Sequence, residues 1–217
     1  MENMDKENYI SKIVKESGYF VRSGEALRAI KKYVRPGGCI LEIGPGSGGV
    51  LMLLKQNGYK VEAVDNKNRI DPKISGGVEI KALDVCFSSL PFSSDFFDAV
   101  VMFCVMEHLE NPYFTTREIT RVLKNKGIFI FGMPNIHNLK SKISFILKGD
   151  ICDYTKKNDH RTLFTKSVFV KTFKDFVIME KTCGGGFLRV FGRKIKFNSK
   201  LLHNLLGQRV LYVLRKK

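Results

Sequence analysis

Between Cys39 and Gly48 the chain reads Cys-Ile-Leu-Glu-Ile-Gly-Pro-Gly-Ser-Gly, and no other stretch limits the fold as strongly. A short apolar run closes on an acid, Glu42, and then breaks into Gly44, Gly46 and Gly48 before Val50-Leu-Met-Leu-Leu resumes apolar character. This is the pattern of a strand, a tight glycine turn and a helix whose N-terminus faces a ligand. Glycine permits positive φ and lets a ligand approach where a Cβ would collide.

The sequence around this stretch alternates as it should. Apolar positions at helical spacing run through residues 9–34, with Ser17-Gly18-Tyr19-Phe20 separating two expected helices. After the glycine turn, a helix stops at Asn57-Gly58, and Lys60-Val-Glu-Ala-Val-Asp65 is a second strand ending in an acid. Gly76-Gly77 precedes a third strand, Val78 to Leu83, and again an acid follows, Asp84. The near-continuous apolar run Asp98 to Cys104 suits a strand buried on both faces. Asn111-Pro112 is an N-cap with Pro at the first helical position, for a helix ending near Lys124. Ile128 to Met133 is a fifth strand; Leu139 to Leu147 and Lys166 to Phe173 are further helices. Val177 to Lys181 and Arg209 to Leu214 are the last expected strands. Such an order calls for an α/β, Rossmann-like three-layer sandwich: a seven-stranded, mostly parallel sheet with an antiparallel last strand.

At 217 residues a single domain over 1–217 is expected, burying roughly 70% of its unfolded surface. Its parts are N-terminal helices (1–36), a binding core (37–134), a lid (135–165) and a C-terminal region with a basic excursion (166–217). The longest apolar run, Ala99 to Met106, is far short of a membrane span, and the polar N-terminus does not read as a signal peptide. Five cysteines lack metal-ligand spacing, so thiols in a reducing cytoplasm are expected and no metal is assigned. The net charge of +16 is lopsided: residues 1–134 hold 18 Lys and Arg against 16 acids, residues 135–217 hold 19 against 5. Any anionic partner should therefore meet the C-terminal part.

Read alone, the glycine turn fits two ligands. Gly44-x-Gly46-x-x-Gly49 matches the dinucleotide fingerprint, and Glu42-x-Gly44-x-Gly46-x-Gly48 resembles motif I of class I S-adenosylmethionine (AdoMet) methyltransferases. Asp65, 21 residues after Gly44, suits the ribose of either. Leu83-Asp84-Val85, Leu90-Pro91-Phe92, Phe97-Asp98, Glu107-His108-Leu109, Arg121 to Gly127 and Met133-Pro134-Asn135 then follow in the order found in small-molecule members of that family. The resemblance covers about residues 20–181, and a dinucleotide enzyme has no reason to carry this series.

The resemblance implies AdoMet as cofactor. Glu42 would sit under the methionine end, where Gly44 and Gly46 leave room; Asp65 would hold the ribose. Asp84 and the Val85 backbone would meet the adenine, and the main chain of Cys104 would line the methionine end. Asp98, at the start of its strand, is assigned to structure. Asn111-Pro112-Tyr113-Phe114 resembles the signature of amino-group DNA methyltransferases but follows the strand too late, and a helix cap explains it better.

For a hydroxyl acceptor, His160 and His108 are the candidate bases. His108 follows the fourth strand, and His160 lies in an element resembling the family's His-x-x-x-Phe-[Ser/Thr]. Arg189, Arg193, Lys194 and Lys196 interleave with Val190, Phe191, Ile195 and Phe197 in the basic excursion. That arrangement suits an anionic substrate, an anionic membrane surface or, less well, nucleic acid, or is simply a solvated face. The lid resembles that of members tied to cell-surface glycan or lipid biosynthesis. The expected activity is O-methylation of a small or lipid- or sugar-linked acceptor, in the cytoplasm or at the membrane periphery. A non-catalytic basic binding module on the same fold is the alternative.

Overall fold

The computed structural model describes residues 20–67, 77–184, 187–190, 193–196, 203 and 205–217. In chain order the elements are α1 (Phe20–Tyr33), β1 (Cys39–Ile43), α2 (Gly49–Gln56), β2 (Lys60–Asp65), β3 (Ile80–Ala82) and β4 (Phe97–Phe103). A 3₁₀ turn (Met106–His108) leads to α3 (Pro112–Val122), β5 (Leu123–Pro134), α4 (Leu139–Lys148) and α5 (Lys166–Thr172). β6 (Phe176–Gly184), β7 (Phe187–Val190), β8 (Arg193–Lys196) and β9 (Arg209–Lys216) follow. The helix expected before residue 17 lies outside the described residues, as do Gly76, Phe191 and Phe197.

Seven strands form one sheet in the order β3-β2-β1-β4-β5-β9-β6. β1 to β5 run parallel, and β9 lies antiparallel between β5 and β6. The expected α/β sandwich with an antiparallel last strand is therefore the observed one. β4 shows why it forms. Val100 and Met102 face the cluster built with Ile119 and Val122 of α3 and Phe169 of α5. Ala99, Val101 and Phe103 face the opposite cluster, with Ala26 and Ile30 of α1 and Val50 and Leu54 of α2. Period-2 side chains on a central strand feed both cores, so the strand is apolar throughout.

The remaining differences are local. α3 ends at Val122 rather than Lys124, and the polar Leu123-Lys-Asn-Lys segment joins β5, where Leu123 pairs with Phe97 across an irregular register. The basic excursion holds an antiparallel hairpin, β7 with β8, that the sequence reading left unstructured. Asn111 caps α3, its Oδ1 accepting from Phe114 N–H at 3.1 Å, which accounts for the Asn-Pro-Tyr-Phe string. Asp98 accepts from Cys39 N–H at 2.8 Å and pairs with Lys124 Nζ at 2.8 Å, at the end of β4 away from the glycine turn. None of the five cysteines is in a disulfide. No helix among the described residues is long and apolar enough to cross a membrane.

Candidate functional site

Register brings the sequence-marked residues to one edge. Ile43 stands level with Val64 on one side and Met102 on the other, so the next residues, Gly44, Asp65 and Phe103-Cys104, leave the sheet together. Gly44 N–H donates to Val64 O at 2.9 Å and Cys104 N–H to Gly132 O at 3.0 Å, which pins both turns to neighbouring strands. Gly44 has φ +70°, and a Cβ there would collide with Cγ2 of Val105. Gly46 has φ +55° with open space around it. Cys104 also takes a positive φ, 55°, a conformation that costs a non-glycine residue energy and turns the chain sharply at the tip of β4.

A cavity of about 440 Å³ opens at this edge, within the range of small-molecule sites. Gly44, Gly46, Asp65, Asp84, Val85, Cys104 and His108 line it; His160 is not among the lining residues. Asp65 accepts from Lys67 N–H at 3.1 Å and Asp84 from Cys86 N–H at 2.9 Å; each keeps acceptor capacity for a ligand. Glu42, next to the lining residue Ile43 but not itself among the lining residues, is only 3% exposed, and its Oε2 has no hydrogen-bond partner among the described residues. Burial, and then the charge of Asp65, push its carboxyl up to about 8. A carboxylate held there has no cationic partner among the described residues, and burial makes it call for one.

The 3₁₀ turn after β4 adds a second acid. Glu107 is fully buried, and both carboxylate oxygens are without hydrogen-bond partners among the described residues. Burial raises its pKa, against the pull of its own backbone N–H, His108, His160 and Arg209. The backbone N–H groups of Arg161 and Thr162 donate to Glu107 O at 2.7 and 3.1 Å, so the segment after His160 is strapped to this turn. That strap brings His160 to His108, the ring centroids 4.7 Å apart and edge-on. His108 Nδ1 lies 2.8 Å from Asp159 Oδ1, and His160 Nδ1 meets Asp153 O. One donor atom each from Glu107, His108 and His160 lie within 4.8 Å of one another, a set able to hold a metal ion. Sequence reasoning quoted Glu107 only as part of a motif. Its position beside His108 was visible, but its burial depends on Met106 and Leu109 turning into the core.

The family model described as Methyltransferase domain matches residues 41–131, which run from β1 through the glycine turn and β4 into β5. Over these residues the chain matches a methyltransferase domain of the class I AdoMet-dependent kind. The cofactor of this family is AdoMet, and the residues present fit it: an orphaned buried carboxylate for an ammonium, a turn with no room for a Cβ at Gly44, and two acids on the cavity wall. An uncharacterized protein of Methanocaldococcus jannaschii, MJ1252, is 35% identical over 127 residues, covering 56% of this chain and 47% of that protein. The chain thus spans about half the length of the curated relative it matches.

Two solved structures share the fold. An AdoMet-dependent methyltransferase from Archaeoglobus fulgidus superposes with TM-score 0.61 at 17% identity, over 90% of this chain and 93% of that one. A chain from a complex containing the Haloferax volcanii methyltransferase activator Trm112 gives TM-score 0.63 at 16% identity, over 95% and 97%.

Proposed function

We propose that this protein transfers a methyl group from AdoMet to an oxygen of a small or lipid- or sugar-linked acceptor. The observation that carries the reading is Glu42, a buried carboxylate with an unpartnered oxygen on the strand whose next residues, Ile43 and Gly44, line the cavity with Asp65. When bound, AdoMet supplies an electrophilic methyl on a sulfonium, with a neutral thioether as leaving group. The chain's task is then to hold and orient, which supplies most of the acceleration in such a displacement. Glu42 pairs with the ammonium of the methionine end, and Gly44 and Gly46 leave room for it. Asp65 accepts from the ribose hydroxyls, Asp84 and the Val85 backbone meet the adenine, and the Cys104 main chain lines the methionine end. His108, which lines the cavity, and His160 beside it are the candidate bases for the acceptor.

The lid supports a lipid-linked acceptor over a freely soluble one. On α4, Ile146 is 80% and Leu147 74% exposed, with Ile143 and Phe145 also open to solvent. Exposed Lys140, Lys142 and Lys148 flank them on the same helix. An apolar face edged by lysines suits the surface of an anionic bilayer. The side chains of Arg189, Arg193, Lys194 and Lys196 fall outside the described ones. Wild-type protein should co-sediment with anionic liposomes, and an Ile146→Asp, Leu147→Asp variant should not; equal sedimentation removes this role from α4.

The activity itself is tested through the cofactor. S-adenosylhomocysteine should bind in calorimetry, and no binding at high micromolar concentration would overturn the enzyme reading and favour a non-catalytic basic module. Asp65→Ala should weaken that binding at least about tenfold, from the loss of charge-assisted hydrogen bonds; unchanged affinity removes Asp65 from the site. Alanine at His108 and His160 should cost turnover by roughly 10²–10⁴ with cofactor binding kept.

A further inference from the structure

We infer that Glu107, His108 and His160 form a binding site for one divalent transition-metal ion at the acceptor side of the cavity. The inference rests on the methyltransferase reading for its role but not for its existence. Glu107 is the strongest reason. A carboxylate with zero exposure and two unpartnered oxygens sits on a turn whose neighbour, His108, lines the cavity. A buried polar group in that state is destabilising unless something pairs with it. Among the described residues no lysine or arginine hydrogen-bonds either oxygen, and two imidazoles each offer a ligand atom within 4.8 Å.

The surroundings of those imidazoles match what metal-binding histidines need. A ligating imidazole gives its other nitrogen to a carboxylate or a carbonyl, which fixes the tautomer and the ring. His160 Nδ1 contacts the backbone oxygen of Asp153, leaving Nε2 as the nitrogen available to an ion. His108 Nδ1 stands 2.8 Å from Asp159 Oδ1 and is otherwise unpartnered. One carboxylate and two neutral imidazoles carry a net charge of −1 and select a first-row divalent ion over calcium or magnesium.

Distances allow it with a small closure. Ligand atoms about 2.1 Å from an ion stand roughly 3–3.5 Å apart, against a spread of up to 4.8 Å here. Rotating side chains by about 1 Å closes the set, and the strap from Arg161 and Thr162 to Glu107 already holds the two halves together. Three protein ligands leave open positions toward the cavity. An acceptor oxygen bound at one of them would have its pKa lowered, since a cation favours the deprotonated form. The histidines would then activate the acceptor as ligands.

The test uses full-length, untagged protein stripped with chelator and then titrated with Co²⁺ alone, read by visible absorption. One Co²⁺ per chain is expected, with intensified bands showing nitrogen and oxygen ligation. Glu107→Gln and His160→Ala should each weaken it at least about tenfold, while His137→Ala should not. If Glu107→Gln fails to fold by circular dichroism, His160→Ala carries the comparison, because His160 is part-exposed and outside the core clusters. Absence of stoichiometric Co²⁺ binding, or binding that survives both substitutions, overturns the site. S-adenosylhomocysteine binding measured on the same sample separates the two readings. Cofactor bound without Co²⁺ refutes only the metal site; Co²⁺ bound without cofactor refutes only the methyltransferase reading.

Discussion

Replacing Glu42 with Gln should make the free protein more stable at alkaline pH and worse at holding its ligand. Burial raises the carboxyl from an ordinary 4.5 to about 8, so between those values the folded chain holds a proton that the unfolded chain has released. The sign follows from linkage: the stabilising contribution is complete below pH 4.5 and is lost as pH rises through 8. The interval from 4.5 to about 8 corresponds to a ceiling of about 5 kcal/mol. With relaxation of the site, wild type should lose about 2–4 kcal/mol between pH 5 and pH 8 that the variant keeps. Urea unfolding of both proteins at pH 5, 6, 7 and 8 measures the difference. Glu107 titrates in the same direction but is present in both proteins, so it cancels. Parallel stability curves would refute burial as the cause. Calorimetry with S-adenosylhomocysteine completes the test: the variant should bind at least about tenfold more weakly, through loss of a charge-assisted contact. Equal affinity would take the ammonium away from Glu42.

Gly44→Ala should cost about 2–4 kcal/mol, combining positive φ with a clash against Val105, and a thermal melt reads it directly. Gly46→Ala meets open space and should cost only about 1–2 kcal/mol from its φ, yet it should weaken cofactor binding because its Cβ fills the cavity. Asp98 is partly desolvated, but hydrogen bonds from Lys124 and from Cys39 N–H hold its pKa below the ordinary 3.8. Its contribution is present above pH 3.8 and lost as pH falls through the folded pKa. Asp98→Asn should therefore destabilise by about 1–2 kcal/mol at pH 7 and converge with wild type below pH 3 in urea unfolding.

Features carried by adjacent residues were legible in the sequence. The strand–glycine–helix unit and the acids at strand ends need only local patterns, and parallel register then brings Gly44, Asp65 and Cys104 together without further information. The Asn111 cap was readable for the same reason. What escaped depends on distant contacts. Leu123 to Lys126 is polar enough to continue a helix, yet pairing of Leu123 with Phe97 draws it into β5. The hairpin of β7 and β8 hides in a run where basic and apolar residues interleave, equally suited to a solvated face. Glu107 and His160 are 53 residues apart, and only the return of the segment before α5 to the turn after β4 makes them neighbours.

The place of β9 in the sheet bears on how the chain is made. It fills the gap between β5 and β6, and it is the last of the described strands to leave the ribosome. Until it arrives, β5 presents an open edge carrying Phe129 and Phe131, and β6 has nothing in the sheet to pair with. Arg209, which donates to Cys104 Sγ at 3.3 Å, also comes only with that strand. A nascent chain halted between the end of β6 and residue 209 therefore holds the glycine turn beside an unfinished sheet, an edge open to aggregation. Cofactor captured during synthesis would steady the first strands, but completion of the described sheet waits on the eight residues of β9.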